Sequence, residues 1–468
     1  MAKLVQVYAV PLARTHHKDS NPTMNWRKVL QLTLVHVAVS ITVVPVTSTL
    51  NRIMISDMKM SATLVAFLVA LPYLLSPLQV PMGNWTDTHP VWNRHRVPWI
   101  LMGGLLAAAG SYMTAHTAYW MDANFLPGFA AAIFFFTIWG VGVNVASVSY
   151  LSLLAELSTG EGAERTAASK ANWRNRTVSI MFTVMILSTI LISTLLKTML
   201  VDFSPTALFT AFGVVWLIST FLILLGTVSL EPALRAGEKP KHNTATDPIG
   251  AIRALVGNPV AWRFFWYLVL VLISIHAQDV LLEPFGADAL GMDVSATSGL
   301  TRMWGMGFFV AILGSIPLVK RIGKKRSANI GAGVAALAFS LISITGLMGQ
   351  IPAFSGSIFL LGVGGGLMTL SNLSFMLDMT LPHAAGLYIG AWGVANFAGQ
   401  AVGGIASGIL RDVVYAVTGN LLFGYVSVFA IEVVGLLVAI WMFRSITVED
   451  FQHHAEVNLA DVLALASD

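Results

Sequence analysis

The sequence predicts an all-α integral membrane protein whose twelve transmembrane helices form two six-helix, pseudo-symmetric halves. Only 11% of its 468 residues are charged and 56% are hydrophobic, whereas a water-soluble surface needs roughly a quarter charged residues. The mean hydropathy of +0.74 fits a chain that lies largely in lipid. Twelve apolar runs are long enough to cross a bilayer, and a pattern in the fourth run recurs in the tenth. These observations together predict the fold class.

The apolar runs are assigned to spans in chain order by their length. They cover residues 29–50, 61–81, 97–118, 126–154, 177–197, 206–228, 261–284, 297–319, 328–348, 352–379, 385–410 and 420–443. With the N-terminus inside, most of the 27 Lys and Arg residues fall on the inner side, as the positive-inside rule requires. We therefore expect cytoplasmic tails at 1–28 and 444–468. A polar cytoplasmic loop, 229–260, separates the half 29–228 from the half 261–443.

Composition and motif content exclude several classes of function. The net charge of +4 comes from the inner loops and does not indicate a face that binds nucleic acid. With no cysteine, the chain has no disulfide, thiolate nucleophile or Cys-ligated metal, and we predict no metal site. The sequence contains no P-loop, nucleophile elbow, H-E-x-x-H helix or dinucleotide fingerprint. We therefore expect a protein that is not an enzyme.

The two halves share a sequence repeat. Residues 140–157 align without gaps on residues 362–379, an offset of 222 residues, and six of the 18 positions are identical. The carboxylate of Glu156 recurs as Asp378. Together with the central loop and the equal number of spans, the repeat predicts parallel halves related by an axis along the membrane normal, as in the major facilitator superfamily.

Polar groups inside or against hydrocarbon are functional candidates, because a charge there is unfavourable unless it is paired. Between spans 2 and 3 lie Gly83, Asp87, Arg94 and Arg96. This set resembles the inner-loop motif of the superfamily, in which Gly permits close helix approach and Arg closes a conformational latch. A latch in alternating access and a purely structural turn anchor are both open interpretations.

Two acids, Glu156 and Asp378, end spans 4 and 10 at equivalent positions on the inner side. One interpretation is that these symmetric acids bind protons or close the inner mouth. The other, which we favour, is that each acid ties a loop to a basic turn nearby.

A second pair of equivalent positions lies at the outer ends of spans 1 and 7. Asn51 and Arg52 match Gln278 and Asp279 in place, and Glu283 follows Asp279 by one helical turn. Because both helices line the cavity of a two-half transporter, a bridge from Arg52 to either acid could hold the outer mouth. The alternative is that these groups are separately solvated among the lipid headgroups.

Two histidines lie on the same two helices, His36 in span 1 and His276 in span 7. Neutral imidazole is a natural axial ligand for the magnesium of a chlorin, so both are possible pigment ligands. The alternative for each is a histidine that is hydrogen-bonded to a neighbouring helix.

Span 11 is rich in glycine. The pairs Gly399/Gly403 and Gly404/Gly408 have the four-residue spacing that lets helix backbones approach closely. Tight packing inside the bundle is the leading interpretation, and a docking face for a single-span partner is the other.

Three blocks of the sequence, Leu50–Ile55, Gln278–Gly286 and Gly390–Asp412, resemble the PucC/LhaA family, the bacteriochlorophyll-delivery branch of the major facilitator superfamily. The resemblance covers essentially all twelve spans. It implies a protein of the inner, photosynthetic membrane that aids assembly of light-harvesting antennae. Its cargo would be bacteriochlorophyll or chlorophyll, a tetrapyrrole pigment, and its partners would be single-span light-harvesting apoproteins.

Two other functions remain open. One is a proton-coupled secondary transporter of a small lipophilic or ionic solute, with Asp279, Glu283, Glu156 or Asp378 as its proton site. The other is an assembly scaffold without a ligand.

Overall fold

The computed structural model describes residues 25–159, 167–231, 258–380 and 385–453. Its helices are numbered in chain order, and their bounds are α1 Trp26–Ser40, α2 Ala62–Leu74, α3 Gln79–Thr88, α4 Val97–Ala123, α5 Phe125–Thr159, α6 Ala167–Met199, α7 Pro205–Thr227, α8 Pro259–His276, α9 Leu282–Leu290, α10 Val294–Ser298, α11 Leu300–Ile322, α12 Lys324–Leu347, α13 Ile351–Asp378, α14 Ala385–Thr418 and α15 Leu421–Phe443. Most of the predicted tails and of the predicted central loop lies outside the described residues.

Eleven helical stretches in the described residues are long and apolar enough to cross a membrane. The predicted second span is shorter, because its apolar helix covers only Ala62–Leu78. Pro72 and Pro77 lie in this stretch, a turn of 3₁₀ helix at Ser76–Leu78 separates α2 from α3, and Pro81 follows within α3. The protein is thus a multi-pass membrane protein, with large apolar side chains such as Leu191, Leu313 and Leu437 exposed on its surface.

The first span does not remain a regular α-helix. After α1, the helical path to Asp57 includes two π-helical segments, Pro45–Leu50 and Ile53–Asp57. Pro45 has no N–H to donate to the helix, and Thr47 and Asn51 donate side-chain hydrogen bonds back to the carbonyls of Val43 and Thr47. The wider turn changes which residues share a face, since a π-helix relates residues i and i+5.

The aligned glycines of the two halves make the same close helix contact. A Cβ added at Gly142 of α5 would lie 2.3 Å from the backbone nitrogen of Ala107 on α4. A Cβ added at Gly364 of α13 would lie 2.5 Å from the backbone nitrogen of Ala335 on α12. Each repeat thus packs its helix directly against the preceding hairpin partner, which explains why both positions are glycine.

The two halves, α1–α7 and α8–α15, meet at the end of the bundle away from the described chain ends. We call this contact the outer junction, and it consists of residues 49–63, 193–197, 279–298 and 408–412. Its hydrogen bonds include Thr49 Oγ1 to Ser298 Oγ at 2.8 Å and Ser193 Oγ to the Ser298 carbonyl at 2.6 Å. Within the described parts of the chain, hydrogen bonds between the halves occur only here. The two halves are thus closed against each other at this end of the bundle.

Candidate functional site

Arg52 lies in the outer junction and is 6% exposed. Its guanidinium pairs with the Asp57 carboxylate through Nη1, and Nη2 donates to the Met292 carbonyl at 3.1 Å. The predicted bridge from Arg52 to Asp279 or Glu283 is therefore wrong in this conformation. The physical reason is the π-helical turn, which brings Asp57, five residues along, onto the face of Arg52.

The Asn51 and Gln278–Asp279 positions do meet, but through the backbone of Asp279. Asn51 is fully buried, and its Nδ2 donates to the Asp279 carbonyl at 3.4 Å. The Asp279 carboxylate accepts from Gln278 Nε2 at 2.5 Å and lies 2.8 Å from His276 Nδ1. Asp279 thus orients an imidazole instead of binding Arg52.

Glu283 lies one turn into α9 and is 5% exposed. Its Oε1 accepts a hydrogen bond from Thr301 Oγ1 of α11 at 2.9 Å. Glu283 therefore links two elements of the same half, and the guanidinium of Arg52 has its partners elsewhere.

The strongest polar contact between the halves involves Asp412, which the sequence analysis quoted only as part of a larger block. Its carboxylate accepts from Ser61 Oγ at 2.7 Å, from Thr63 Oγ1 at 2.8 Å and from the backbone N–H of Thr63 at 2.8 Å. Arg411 Nη1 donates to the same carboxylate at 2.7 Å. An acid from α14 thus caps the N-terminus of α2, where backbone N–H groups lack partners.

At the opposite end, Arg96 is 2% exposed and binds the acid that ends the fourth span. Its Nε and Nη2 donate to Glu156 Oε1 at 3.1 and 2.9 Å, and Nη1 donates to Thr86 Oγ1 at 2.6 Å. Glu231, at the end of the sixth span, accepts from the backbone N–H of Arg96 and Val97. These contacts join α3, α4, α5 and the chain after α7 within one half.

Two other predicted members of the inner-loop set, Gly83 and Arg94, make weaker contacts. Arg94 exchanges backbone hydrogen bonds of 3.0 Å with Val91. A Cβ added at Gly83 would lie 3.5 Å from Val148, an ordinary packing distance. Asp87 is in α3, but its side chain is outside the described part of the structure.

Asp378 repeats the role of Glu156 in the second half. Lys324 Nζ, at the start of α12, donates to both carboxylate oxygens of Asp378, at 2.8 and 2.7 Å. Both acids therefore hold a basic turn of their own half in this conformation.

The two histidines differ in access. His36 Nδ1 lies 2.7 Å from Tyr150 Oη, and its Nε2 is buried without a partner among the described residues. The ring is 7% exposed and packs on Phe182, so a flat macrocycle could reach it only if helices separated. The side chain of His276 is 29% exposed, and its Nδ1 lies against Asp279.

The contact with Asp279 leaves His276 with one ring nitrogen that could act as a ligand or acceptor. An imidazole whose Nδ1 donates to a carboxylate is fixed in the tautomer that leaves the Nε2 lone pair free, and the carboxylate increases its basicity. No group of three or more His, Asp or Glu side chains that could hold a free metal ion occurs in the described residues.

The glycines of α14 serve two contacts. Added Cβ atoms at Gly399 and Gly403 would lie 2.5 Å from Leu272 Cβ and 2.7 Å from the Ile273 carbonyl on α8. At Gly408 the Cβ would lie 2.7 Å from the Ala62 carbonyl of the other half. At Gly404 the nearest atom is Val280 Cγ2 at 3.7 Å. Three of the four predicted packing glycines are thus in close backbone or Cβ contact, and Gly404 is not.

One buried acid escaped the sequence analysis altogether. Glu432 lies within α15, is 2% exposed, and neither carboxylate oxygen has a hydrogen-bond partner in the described residues. Its signal was present in the sequence, because it is the sole charged side chain in the run 420–443. The predicted site acids lie at the ends of spans, whereas Glu432 lies in the middle of one.

Comparisons with known proteins identify relatives along most of the chain. The family described as PUCC protein matches residues 49–451. Protein PucC of Cereibacter sphaeroides is 28% identical over 422 residues, covering 87% of this chain and 89% of that protein. A Rhodobacter capsulatus protein named Bacteriochlorophyll synthase 44.5 kDa chain is 25% identical, covering 83% of this chain and 88% of that protein.

Among solved structures, the crystal structure of a D-xylose-proton symporter is similar to this one. The TM-score is 0.63 at 16% identity, with 91% of this chain and 98% of that chain covered. At this identity the similarity shows the fold alone, and that fold is the two-half helical fold of the major facilitator superfamily. The predicted fold class is confirmed, although the second of the twelve predicted spans is short.

Proposed function

The chain belongs to the PucC family, and on that premise we propose that it aids assembly of light-harvesting antennae by binding and delivering bacteriochlorophyll or chlorophyll. The family match over residues 49–451 is the observation that carries the proposal. The receiving partners would be single-span antenna apoproteins. The membrane would be the inner, photosynthetic membrane, with both termini in the cytoplasm.

The pigment class is supported by the chemistry of His276, which lies at the end of α8 beside the outer junction. The oriented imidazole of His276 offers a nitrogen lone pair, and the magnesium of a chlorin accepts such an axial ligand. The macrocycle itself is apolar, so a bilayer protein with an internal apolar surface suits it. His276 would hold the cargo, and Asp279 would position His276.

A non-enzymatic role is part of the same proposal. One relative carries the name of a synthase subunit. The present sequence, however, contains no P-loop, nucleophile elbow, H-E-x-x-H helix or dinucleotide fingerprint. In this proposal the oriented polar groups bind the cargo, and the described ion pairs fix loops to helices.

A proton-coupled secondary transporter is the second candidate. The observation that favours it is Glu432, an unpaired acid in the middle of an apolar helix, because intramembrane acids commonly carry protons in transporters. Of the acids proposed from the sequence for this role, Glu156, Asp378 and Glu283 have hydrogen-bond partners within their own half.

Purification from pigmented membranes followed by an absorbance spectrum separates these functions. A bound chlorin supports delivery of pigment. A colourless protein that moves protons together with a solute in vesicles would contradict delivery and support the transporter. A colourless protein that copurifies with antenna peptides would support a scaffold instead.

A further inference from the structure

Glu432 is placed where an ionised carboxylate is unfavourable. It lies near the middle of α15, and 2% of it is exposed. Both carboxylate oxygens lack hydrogen-bond partners among the described residues. Burial of a charge without a partner or water carries a large desolvation free energy. A neutral carboxylic acid avoids most of that desolvation free energy.

The helix face that carries Glu432 is closely packed. Gly435 lies three residues along α15 and therefore on the same face. A Cβ added at Gly435 would lie 2.2 Å from Ser274 Oγ of α8, and Ser274 is itself 4% exposed. Direct helix contact so close to the carboxyl group leaves it surrounded by protein.

The elements that pack against α15 are α8, the turn after it, α9, α12 and α14. Their described titratable or charged side chains, with those of α15 itself, are Arg263, Tyr267, His276, Asp279, Glu283, Asp288, Lys324, Lys325, Arg326, Arg411, Asp412, Tyr415 and Tyr425. Of these, Asp279 is the acid of the turn Ala277–Asp279, which packs directly against α15. No cation among the described residues neutralises Glu432.

Asp279 connects this acid to the contact between the halves. Its backbone carbonyl accepts from Asn51 of the first half, and its carboxylate is held by His276 and Gln278. The acid in the turn that packs against α15 is therefore held in position at the closed outer junction.

We propose that Glu432 is a proton-binding site and that the proton on Glu432 stabilises the conformation closed at the outer junction. Loss of the proton leaves an unpaired anion in a packed apolar site, on a helix that packs against the turn carrying Asp279. The closed conformation then becomes less favourable than one in which Glu432 meets water or a cation. A rise in pH thus opens the outer junction, and a fall in pH closes it. This inference does not depend on what the protein carries.

The test uses the absence of cysteine from the chain. Ser56→Cys places a thiol in the outer junction at a position that is 5% exposed. Thr206→Cys places one on an exposed position at the start of α7. Each variant is labelled in membranes with an impermeant maleimide, between about pH 6 and about pH 8. The ratio of the Ser56→Cys labelling rate to the Thr206→Cys labelling rate cancels the pH dependence of thiol reactivity.

We expect the ratio of Ser56→Cys to Thr206→Cys labelling to rise with pH, by at most about tenfold per pH unit for a single proton. Adding Glu432→Gln, a neutral side chain of nearly the same shape, should hold the ratio at its low-pH value. Glu432→Leu should do the same if the Gln variant does not fold. A ratio that does not change with pH in the otherwise unmodified protein, or one that rises equally in the Glu432 variants, would overturn the proposal.

Discussion

Asp412→Ala tests whether one carboxylate holds the outer junction closed. Asp412 accepts three hydrogen bonds of 2.7 to 2.8 Å from Ser61 and Thr63, and its side chain is 23% exposed. A hydrogen bond to a charged group contributes about 1.5–3 kcal/mol when buried, and an anion at a helix N-terminus contributes about 0.3–1 kcal/mol. Because water can replace some of these hydrogen bonds at a partly exposed site, we expect Asp412→Ala to destabilise the closed conformation by about 2–3 kcal/mol relative to the open one.

That loss corresponds to a shift of about 30- to 150-fold in the ratio of open to closed conformations. The assay is again maleimide labelling of Ser56→Cys from outside, compared with and without Asp412→Ala. The matched control is Asp202→Ala, because Asp202 is an exposed acid in the loop between α6 and α7. Labelling that increases no more with Asp412→Ala than with Asp202→Ala would refute the capping argument.

Two further predictions concern packing within the halves. Arg96→Ala should lower the thermal midpoint, because it removes about 1–3 kcal/mol from the free energy of unfolding. A double-mutant cycle of Arg96→Ala with Glu156→Gln should show a coupling energy of about 0.5–3 kcal/mol, whereas additive effects would mean that the pair is solvated. Gly403→Ala should lower the thermal midpoint, because its Cβ would lie 2.7 Å from the Ile273 carbonyl. Gly404→Ala is the control and should leave the midpoint unchanged, because the nearest atom to its Cβ would be 3.7 Å away. Equal midpoints for the two variants would contradict this distinction.

The spans could be predicted from the sequence because the hydrophobic signal of each is local. A run of about 20 apolar residues reports its own helix and needs no knowledge of its neighbours. The same holds for the repeat, whose glycines at 142 and 364 make equivalent contacts. The short second span is the exception, since three prolines divide it.

The partners of the polar side chains could not be predicted in the same way. A bridge from Arg52 to Asp279 is expected only if the first span is a regular α-helix. In the structure the π-helical turn brings Arg52 and Asp57 together, and these two side chains pair instead. The cap that Asp412 provides to α2 joins residues about 350 positions apart, which no local pattern reveals. Glu432 was visible in the sequence, but only its burial without a partner distinguishes it from an ordinary interfacial acid.

Pigment content tests the proposal that the protein carries a chlorin held by His276. The most direct measurement is the ratio of chlorin absorbance to protein after purification from pigmented membranes, with His276→Ala and His116→Ala compared at equal protein. His116 is the control because it is another histidine within a span, stacked on Phe209 of α7. The account predicts bound chlorin in the unmodified protein and in His116→Ala, and a loss of roughly tenfold or more in His276→Ala. A protein without chlorin, or equal pigment in all three, would contradict it.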